Sequence, residues 1–150
     1  MSTRHTASRG FTLVEILIVV IILGILAAIV IPQFANASSD ARTTNLRTSL
    51  ANVRNQIEIF KTQHNDVAPV LTGMWTLMLT QTDTTEATSN APTGTHWGPY
   101  LQAAPINPLN NLTGVTSASV DVNAGWYYQP AGLGFTFQAR SVDGSIYTAY

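Results

Sequence analysis

An uninterrupted apolar run constrains this chain more than any other feature of its sequence. Between Phe11 and Phe34 the only charged side chain is Glu15, close to the start of the run. As an α-helix rising about 1.5 Å per residue, the segment is roughly 36 Å long, enough to cross a hydrocarbon core about 30 Å thick. Arg4 and Arg9 precede the run, and basic residues hold their end of such a helix in the cytoplasm. The sequence therefore predicts a membrane helix that delivers the rest of the chain to the far side.

Glu15 needs an explanation of its own. An acidic side chain inside a membrane segment costs about 2.5–3.5 kcal/mol on insertion scales, and such residues usually serve a function. A carboxylate in hydrocarbon also needs a partner that compensates its charge. We therefore expect Glu15 to be paired, either within the chain or with another molecule.

The start of the run carries a family resemblance. Gly-Phe-Thr-Leu-Val-Glu at 10–15 follows a short basic leader, and the run ends in Ile-Pro-Gln-Phe at 31–34. This arrangement resembles the prepilin signature of type IV pilins and type II secretion pseudopilins. The resemblance implies cleavage after Gly10 by a membrane prepilin peptidase, N-methylation of the new amino terminus at Phe11, and assembly into a helical filament. In that family the acidic residue at the position of Glu15 neutralises the amino terminus of a neighbouring subunit.

An ordinary secretory signal peptide is the main alternative for the N-terminus. Met1–Arg9 would be its basic region, and Ala35-Asn36-Ala37 is a small-x-small site that would be cut before Ser38. The apolar run exceeds the usual length of about 7–15 residues, and a signal peptide has no use for Glu15. Prepilin processing is therefore favoured over a secreted binding module cleaved after Ala37, and over a plain uncleaved anchor.

Gly24 and Pro32 interrupt the apolar helix. Membrane helices tolerate both residue types where neighbouring groups satisfy the freed backbone. Pro32 removes a backbone N–H and is expected to kink the helix near the far membrane interface. Gly24, with Ala27 and Ala28, offers a small-residue face for close helix–helix approach. We interpret Gly24 and Pro32 as packing and kink positions.

The helix is predicted to continue beyond the membrane as an amphipathic segment. Apolar residues recur there at spacings of four, three, four and three, which forms one stripe on a helix. The stripe consists of Leu46, Leu50, Val53, Ile57 and Phe60. Glu58 and Arg54 lie four apart and are expected to pair weakly. Because Pro69 disfavours helical geometry at Ala68, the helix should end around 64–66.

The tail of the chain is predicted to form strands. Phe135, Phe137 and Ala139 alternate with polar residues, a two-residue period with one buried face. Asp143-Gly144 supplies a tight hairpin turn, and Pro130-Ala131-Gly132 closes an earlier strand. The predicted strands are 125–129, 135–140 and 145–150, with 115–122 as a fourth strand or a loop. The fold class is α+β: a long N-terminal α-helix, its outer half amphipathic, packed on a small C-terminal antiparallel sheet of three to four strands.

The middle of the chain is less regular. Residues 72–79 predict a short helix or turn that packs Trp75 and Leu79 on the stripe. Residues 82–95 are poor in apolar side chains and predict an exposed loop. Gly-Pro-Tyr-Leu at 98–101 followed by Pro-Ile-Asn-Pro at 105–108 then resembles the segment after the variable loop of major pseudopilins of type II secretion.

The absence of cysteine also bears on the subtype. Many type IV pilins carry a disulfide near the C-terminus, whereas this chain has no cysteine. The resemblance therefore favours the major pseudopilin of a type II protein secretion system, a structural subunit of a periplasmic filament. The alternative is a type IV pilin of a surface fibre that serves adhesion, motility or DNA uptake.

Composition argues against two other classes of function. The formal net charge is −1, and removing residues 1–10 takes away two arginines, leaving five basic against eight acidic side chains, or −3. The basic residues form no run, so nucleic acid is not an expected partner. The three histidines are scattered without an acid or nucleophile at a meaningful spacing, so neither an enzyme nor a catalytic residue is predicted.

The resemblance also raises the question of a metal. Major pseudopilins have a calcium site built from acidic and carbonyl oxygens in the C-terminal loop. Asp121 and Asp143 are the only acids late in this chain, whereas calcium takes about six to eight oxygen ligands. We therefore expect no cofactor, with calcium as the weaker alternative, do not carry the calcium site over, and leave the metal-binding residues unassigned.

The chain is expected to divide into four parts: a cleaved leader at 1–10, a transmembrane and filament-core helix at 11–34, its amphipathic continuation at 35–65, and a globular head at 66–150. The resemblance implies a single-pass protein of the bacterial inner membrane with a cytoplasmic N-terminus and a periplasmic head, and later a periplasmic or cell-surface filament. The implied partners are further copies of the chain, prepilin peptidase, an inner-membrane assembly platform, and minor pilins or pseudopilins.

The mature N-terminus tests the prediction of prepilin processing. Mass spectrometry of protein purified from the native membrane should find a chain that starts at N-methylated Phe11. A chain that starts at Ser38 would lack the apolar helix altogether and would support the secreted module instead.

Overall fold

Two helices and three short strands form the secondary structure of the described residues. The computed structural model describes residues 10–85 and 95–147. Its elements, in chain order, are α1 (Leu13–Gln63), α2 (Met74–Leu79), β1 (Val115–Thr116), β2 (Trp126–Ala131) and β3 (Gly134–Ala139). The chain divides into two compact units between Asp40 and Ala41, inside α1. The α+β class predicted from the sequence is confirmed.

The first unit has no buried core in its described residues. Thr12 caps the start of α1, where its Oγ1 accepts a hydrogen bond from the backbone N–H of Glu15 at 3.2 Å. All residues from Gly10 to Asp40 are exposed. The helix continues through Pro32, and the kink expected there stays a prediction.

In the second unit, the predicted stripe of α1 forms the core. Its five residues, Leu46 to Phe60, are at most 2% exposed. Burying each of these side chains stabilises the unit by about 1.5–3 kcal/mol. Asn65 and Asp66 then adopt left-handed backbone conformations, with φ of 55° and 63°, and end the helix where the sequence predicted.

The prediction that Arg54 and Glu58 form an ion pair is wrong. Arg54 donates from Nε and Nη2 to the carbonyl oxygen of Phe137 on β3, at 2.9 and 2.7 Å. Glu58 instead accepts from Lys61 Nζ at 3.0 Å. A partly buried carbonyl held on a strand is a better-fixed acceptor than an exposed carboxylate on the same helix face.

The sheet is mixed, in the order β1-β2-β3. β2 and β3 form an antiparallel hairpin in which Ala131 lies opposite Gly134, so that its turn is Gly132-Leu133. β1 pairs with β2 in parallel, which differs from the wholly antiparallel sheet predicted. The reason is the connection 117–125, which returns the chain to the end of the sheet where β1 starts instead of reversing it in a tight turn.

The turn predicted at Asp143-Gly144 is present, but the strand after it is reduced. Arg140 and Ile146 form a single antiparallel bridge across the turn. The backbone N–H of Tyr147 donates to the carbonyl oxygen of Ala139 at 2.9 Å. The last residues of the predicted strand, 148–150, lie outside the described residues.

Three aromatic residues of the tail belong to the core, as predicted for this part of the chain, and Phe135 and Tyr147 are partly buried against it. Trp126, Tyr128 and Phe137 are buried with the stripe of α1, and the rings of Trp126 and Phe137 stack with centroids 5.3 Å apart. Their polar atoms are satisfied within the chain. The Tyr128 hydroxyl donates to the carbonyl oxygen of Pro69 at 2.6 Å, and Trp126 Nε1 donates to that of Pro105 at 2.9 Å.

The middle of the chain agrees with the sequence only in part. The short helix α2 is present, but it buries Met74, Leu77 and Met78 rather than Trp75 and Leu79. Trp75 is half-buried and packs at the edge of the core.

The loop predicted at 82–95 begins later than expected. Thr82 is buried and pairs with Trp97 through two backbone hydrogen bonds of 3.0 Å. Residues 86–94 lie outside the described residues.

Asn107 connects the long loop before the sheet to the residue before β2 and to the residue after β3. The side chain is fully buried, and its Nδ2 donates to the carbonyl oxygens of Gly125 and Arg140 at 2.6 and 2.7 Å. Its Oδ1 accepts from the backbone N–H of Leu109 at 2.9 Å. Gly125 lies so close to this loop that an added Cβ would be 2.1 Å from the carbonyl oxygen of Leu112.

Replacing Asn107 tests this loop–sheet connection. Asn107→Ala removes the donor to the buried carbonyl oxygen of Arg140 and the acceptor of the Leu109 N–H, and each loss costs about 1–3 kcal/mol. The carbonyl oxygen of Gly125 loses one of two donors, because the backbone N–H of Arg140 still donates to it at 3.0 Å. We expect the midpoint of thermal unfolding to fall by roughly 5 °C or more for a unit of this size. The exposed Asn52→Ala is the matched control and should leave the midpoint unchanged. Equal midpoints for both variants would contradict the role of Asn107.

Candidate functional site

The surface of the first unit is the most unusual feature of the described residues. Seventeen large apolar side chains between Phe11 and Phe34 are exposed, from 48% for Val19 to 82% for Leu13. In the described part of the chain, α1 is the one helix long and apolar enough to cross a membrane. Soluble monomers rarely expose contiguous apolar patches of this extent, so the surface requires a bilayer or other helices to cover it.

Gly10 and Phe11 lie just before this helix, in backbone that is not helical. Both are exposed, and an added Cβ at Gly10 would meet no other atom of the chain within 4 Å. A peptidase needs accessible, non-helical backbone, and the bond between these two residues has it. The structure thus leaves the predicted cleavage site open, and processing itself stays a prediction.

Glu15 lies in the first turn of α1, one turn after Phe11. It is exposed, and the described residues hold no cation paired with it. At the positive end of the helix macrodipole, a carboxylate gains about 0.3–1 kcal/mol in water. That gain is smaller than the cost of carrying the charge into hydrocarbon, about 2.5–3.5 kcal/mol. The local helix therefore does not account for Glu15, and its pairing with a partner stays a prediction.

Gly24 lies in the middle of the exposed surface. An added Cβ there would meet nothing within 4 Å apart from the adjacent helix backbone. Packing within the chain therefore does not require a glycine at this position. A second helix would, if its backbone approached closely.

No catalytic constellation forms in the described residues, and they contain no group of three metal-binding side chains. His64 is buried and stacks on Phe60 with ring centroids 3.8 Å apart, and its Nδ1 lies 2.8 Å from the carbonyl oxygen of Phe60. It is a core residue at the end of α1.

The carboxylates of Asp121 and Asp143 accept hydrogen bonds from their own loops. Asp143 accepts hydrogen bonds from the Ser141 hydroxyl and from the backbone and hydroxyl of Ser145, and these bonds lower its pKa to about 2. Asp121 Oδ1 accepts from the backbone N–H of Asn123 at 2.9 Å. Neither carboxylate is held ready for a metal, so the donor set does not fit the calcium site that the resemblance suggested.

Arg140 and Asn107 are important residues that the sequence analysis did not single out. Arg140 is fully buried, and its guanidinium donates to carbonyl oxygens of the loops that hold the two late acids. The sequence feature that could have indicated Arg140 is its position: it is a single basic residue at the end of the strand whose apolar and polar residues alternate. Asn107 lies in the Pro-Ile-Asn-Pro segment, which was noted only for its resemblance.

Comparison with known proteins supports the reading of the N-terminus. Residues 5–31 match a family described as the prokaryotic N-terminal methylation motif. The match covers the leader end, Gly10, Phe11 and Glu15, and most of the apolar run. No solved structure matches the chain.

Relatives extend the similarity into the second unit. The type II secretion system core protein G of Pseudomonas aeruginosa is 31% identical over 68% of each chain, and that of Vibrio cholerae is 28% identical over 68% of this chain and 66% of its own. The major component of a type IV narrow pilus of Thermus thermophilus is 39% identical, but over 37% of this chain and 48% of its own. None of these three is named as an enzyme.

The length of the matches separates the two kinds of relative. The match to the Pseudomonas protein spans 108 residues, more than α1 and the leader together contain, so it includes part of the head. The matches to type IV pilins span between 50 and 56 residues. Similarity in the head therefore favours the secretion proteins, while similarity in the apolar helix is common to both.

Proposed function

Since the chain belongs to the family of type IV pilins and type II secretion pseudopilins, we propose that it is the major pseudopilin of a type II protein secretion system. In this role it is a structural subunit of a periplasmic filament that helps to move folded proteins through the outer membrane. The observation that carries the proposal is the match to core protein G relatives, which extends beyond the apolar helix into the head.

Processing comes first in the proposed sequence of events. Prepilin peptidase cuts between Gly10 and Phe11, in the exposed backbone before α1, and the new amine of Phe11 is methylated. Residues 1–10 are the leader, and Arg4 and Arg9 keep it in the cytoplasm. The subunit is then held in the inner membrane by residues 11–34, with the residues from 66 onward as its periplasmic head and 35–65 as the connecting helix.

Assembly covers the exposed apolar surface. Moving a subunit from the bilayer into a filament exchanges lipid contacts for helix contacts, so van der Waals packing and polar pairs decide the outcome. Gly24 allows close approach of a neighbouring helix, and Pro32 supplies a local bend. An inner-membrane platform and minor pseudopilins are the proposed partners in this step.

Glu15 fixes the axial position of each subunit in this proposal. Its carboxylate pairs with the methylated Phe11 amine of a neighbouring subunit. Two opposite charges at the same depth in an apolar environment attract strongly, and each removes the other's need for water. A subunit that is out of register leaves both charges unpaired, which makes the alternative positions unfavourable.

Glu15→Ala tests the register role. Without the carboxylate, the neighbour's amine stays unpaired in the apolar core, at a cost of about 3–5 kcal/mol. We expect normal membrane insertion and leader cleavage, measured by fractionation and by the size of the mature chain. The number of filaments seen by electron microscopy, divided by the amount of subunit produced, should fall by at least about a hundredfold.

The matched control for this variant is Asp40→Ala, which removes an exposed acid at the boundary of the first unit. It should assemble normally. Normal filaments from Glu15→Ala would refute the register role while leaving the rest of the proposal in place.

Deletion of the gene distinguishes the two filament types. For a pseudopilin, the deletion strain should retain its normally secreted proteins in the periplasm, and the wild-type gene should restore their export. Loss of surface fibres with intact secretion would instead identify a type IV pilin, the second candidate, which the identity of the apolar helix to pilins supports.

A further inference from the structure

Arg140 is a fully buried cation that pairs with no carboxylate of the described residues. It lies directly after β3, its side chain is 0% exposed, and the described residues form no ion pair with it. A buried charge is stable only if nearby groups compensate it. The groups that do so here are backbone carbonyl oxygens.

Three carbonyl oxygens from two loops converge on the guanidinium. Nη1 donates to Gly144 and, at 3.4 Å, to Ser119, and Nη2 donates to Ala118. The ring of Tyr127 lies on another side, with its centroid 5.8 Å from Cζ. Nε has no hydrogen-bond partner among the described residues.

The same contacts hold the two loops together. The connection 117–125 supplies two of the carbonyl groups, and the turn at 141–144 supplies the third. The backbone N–H of Asp121 also donates to the carbonyl oxygen of Gly144 at 3.1 Å. Gly144 has φ of 80°, and an added Cβ would be 2.7 Å from the backbone of Asp121 and Val122, so the loops touch at this point.

This oxygen set is of the kind that a hard divalent cation uses. Calcium is bound by backbone carbonyl and carboxylate oxygens. Here the carbonyl oxygens of both loops face the guanidinium, and the nearby carboxylates of Asp121 and Asp143 accept hydrogen bonds from their own loops. A calcium ion in the same space would have to displace Arg140 and add charge beside it.

We propose that the guanidinium of Arg140 is the built-in cation of the C-terminal loops and takes the place of a bound calcium ion. The folding of this head therefore does not depend on divalent cations. The inference concerns the second unit alone, and it holds for a pseudopilin and for a pilin alike.

The first test uses the full-length mature protein in detergent micelles, with thermal unfolding recorded in millimolar CaCl₂ and in EDTA. The proposal expects the same unfolding midpoint in both, because no calcium site forms in the native state. It also expects no calcium bound in equilibrium dialysis at these concentrations. A rise of several degrees with CaCl₂, or stoichiometric binding, would overturn the proposal.

The second test removes the guanidinium. Hydrogen exchange of the backbone amides in 117–124 and 141–147 should accelerate by about tenfold to a hundredfold in Arg140→Met, because the carbonyl oxygens lose their donors. Arg140→Lys keeps the charge but donates in fewer directions, so its exchange rates should lie between those of the wild type and of Arg140→Met. Arg47→Met removes an exposed arginine of the same unit and should exchange like the wild type.

Each of the two tests can refute the proposal without the other. Unchanged exchange in Arg140→Met would show that the guanidinium does not hold the loops. If this variant does not fold, the calcium comparison on the wild-type protein still decides the question. Neither measurement involves filament assembly, so a failure here is distinct from a failure of the proposed function.

Discussion

The structure depends first on an apolar surface that its own chain does not cover. The residues of α1 up to Phe34 expose large aliphatic side chains on every side, and the described residues of the first unit contain no buried side chain among them. A helix that is hydrophobic all round is stable in a bilayer or inside a bundle, and not in water. The chain is therefore incomplete as a folded object until a membrane or other subunits surround this helix. The family's two states, membrane-anchored subunit and filament, are the two ways to meet that requirement.

In the second unit, the same helix buries its stripe of apolar residues within the chain. Beyond Asp40 the apolar residues of α1 narrow to one stripe, and the short helix α2 and the β2–β3 hairpin cover it. This change of pattern from all-round to one-sided is visible in the sequence, because it depends on residues that are three and four apart. The stripe, the end of α1 near His64, and the alternating strand at 134–139 were predicted for the same reason, since each is a local pattern.

The features that the sequence did not predict depend on contacts between distant residues. Two turn signals compete in the tail, and the tighter hairpin forms at Gly132-Leu133 while Asp143-Gly144 makes a turn with only one bridge. The parallel pairing of β1 with β2 follows from the path of a loop, which no short-range pattern encodes. Arg54 is similar: helical spacing suggested Glu58, and a strand 83 residues away supplied the acceptor. Of the candidate site, the sequence predicted the N-terminal residues by their motif and did not indicate the role of Arg140.

Glu15 and Arg140 show how the compensation of a charge separates the two units. Both are charged side chains in surroundings that disfavour charge, one in a membrane segment and one in a protein interior. Arg140 finds its hydrogen-bond partners in carbonyl groups of the second unit. Glu15 finds no such partner among the described residues, and its pairing with a neighbouring subunit is part of the proposed function. The described residues of the second unit therefore compensate a buried charge from within, because the core that α1 forms with the sheet brings carbonyl groups to Arg140, whereas those of the first unit supply nothing of the kind to Glu15.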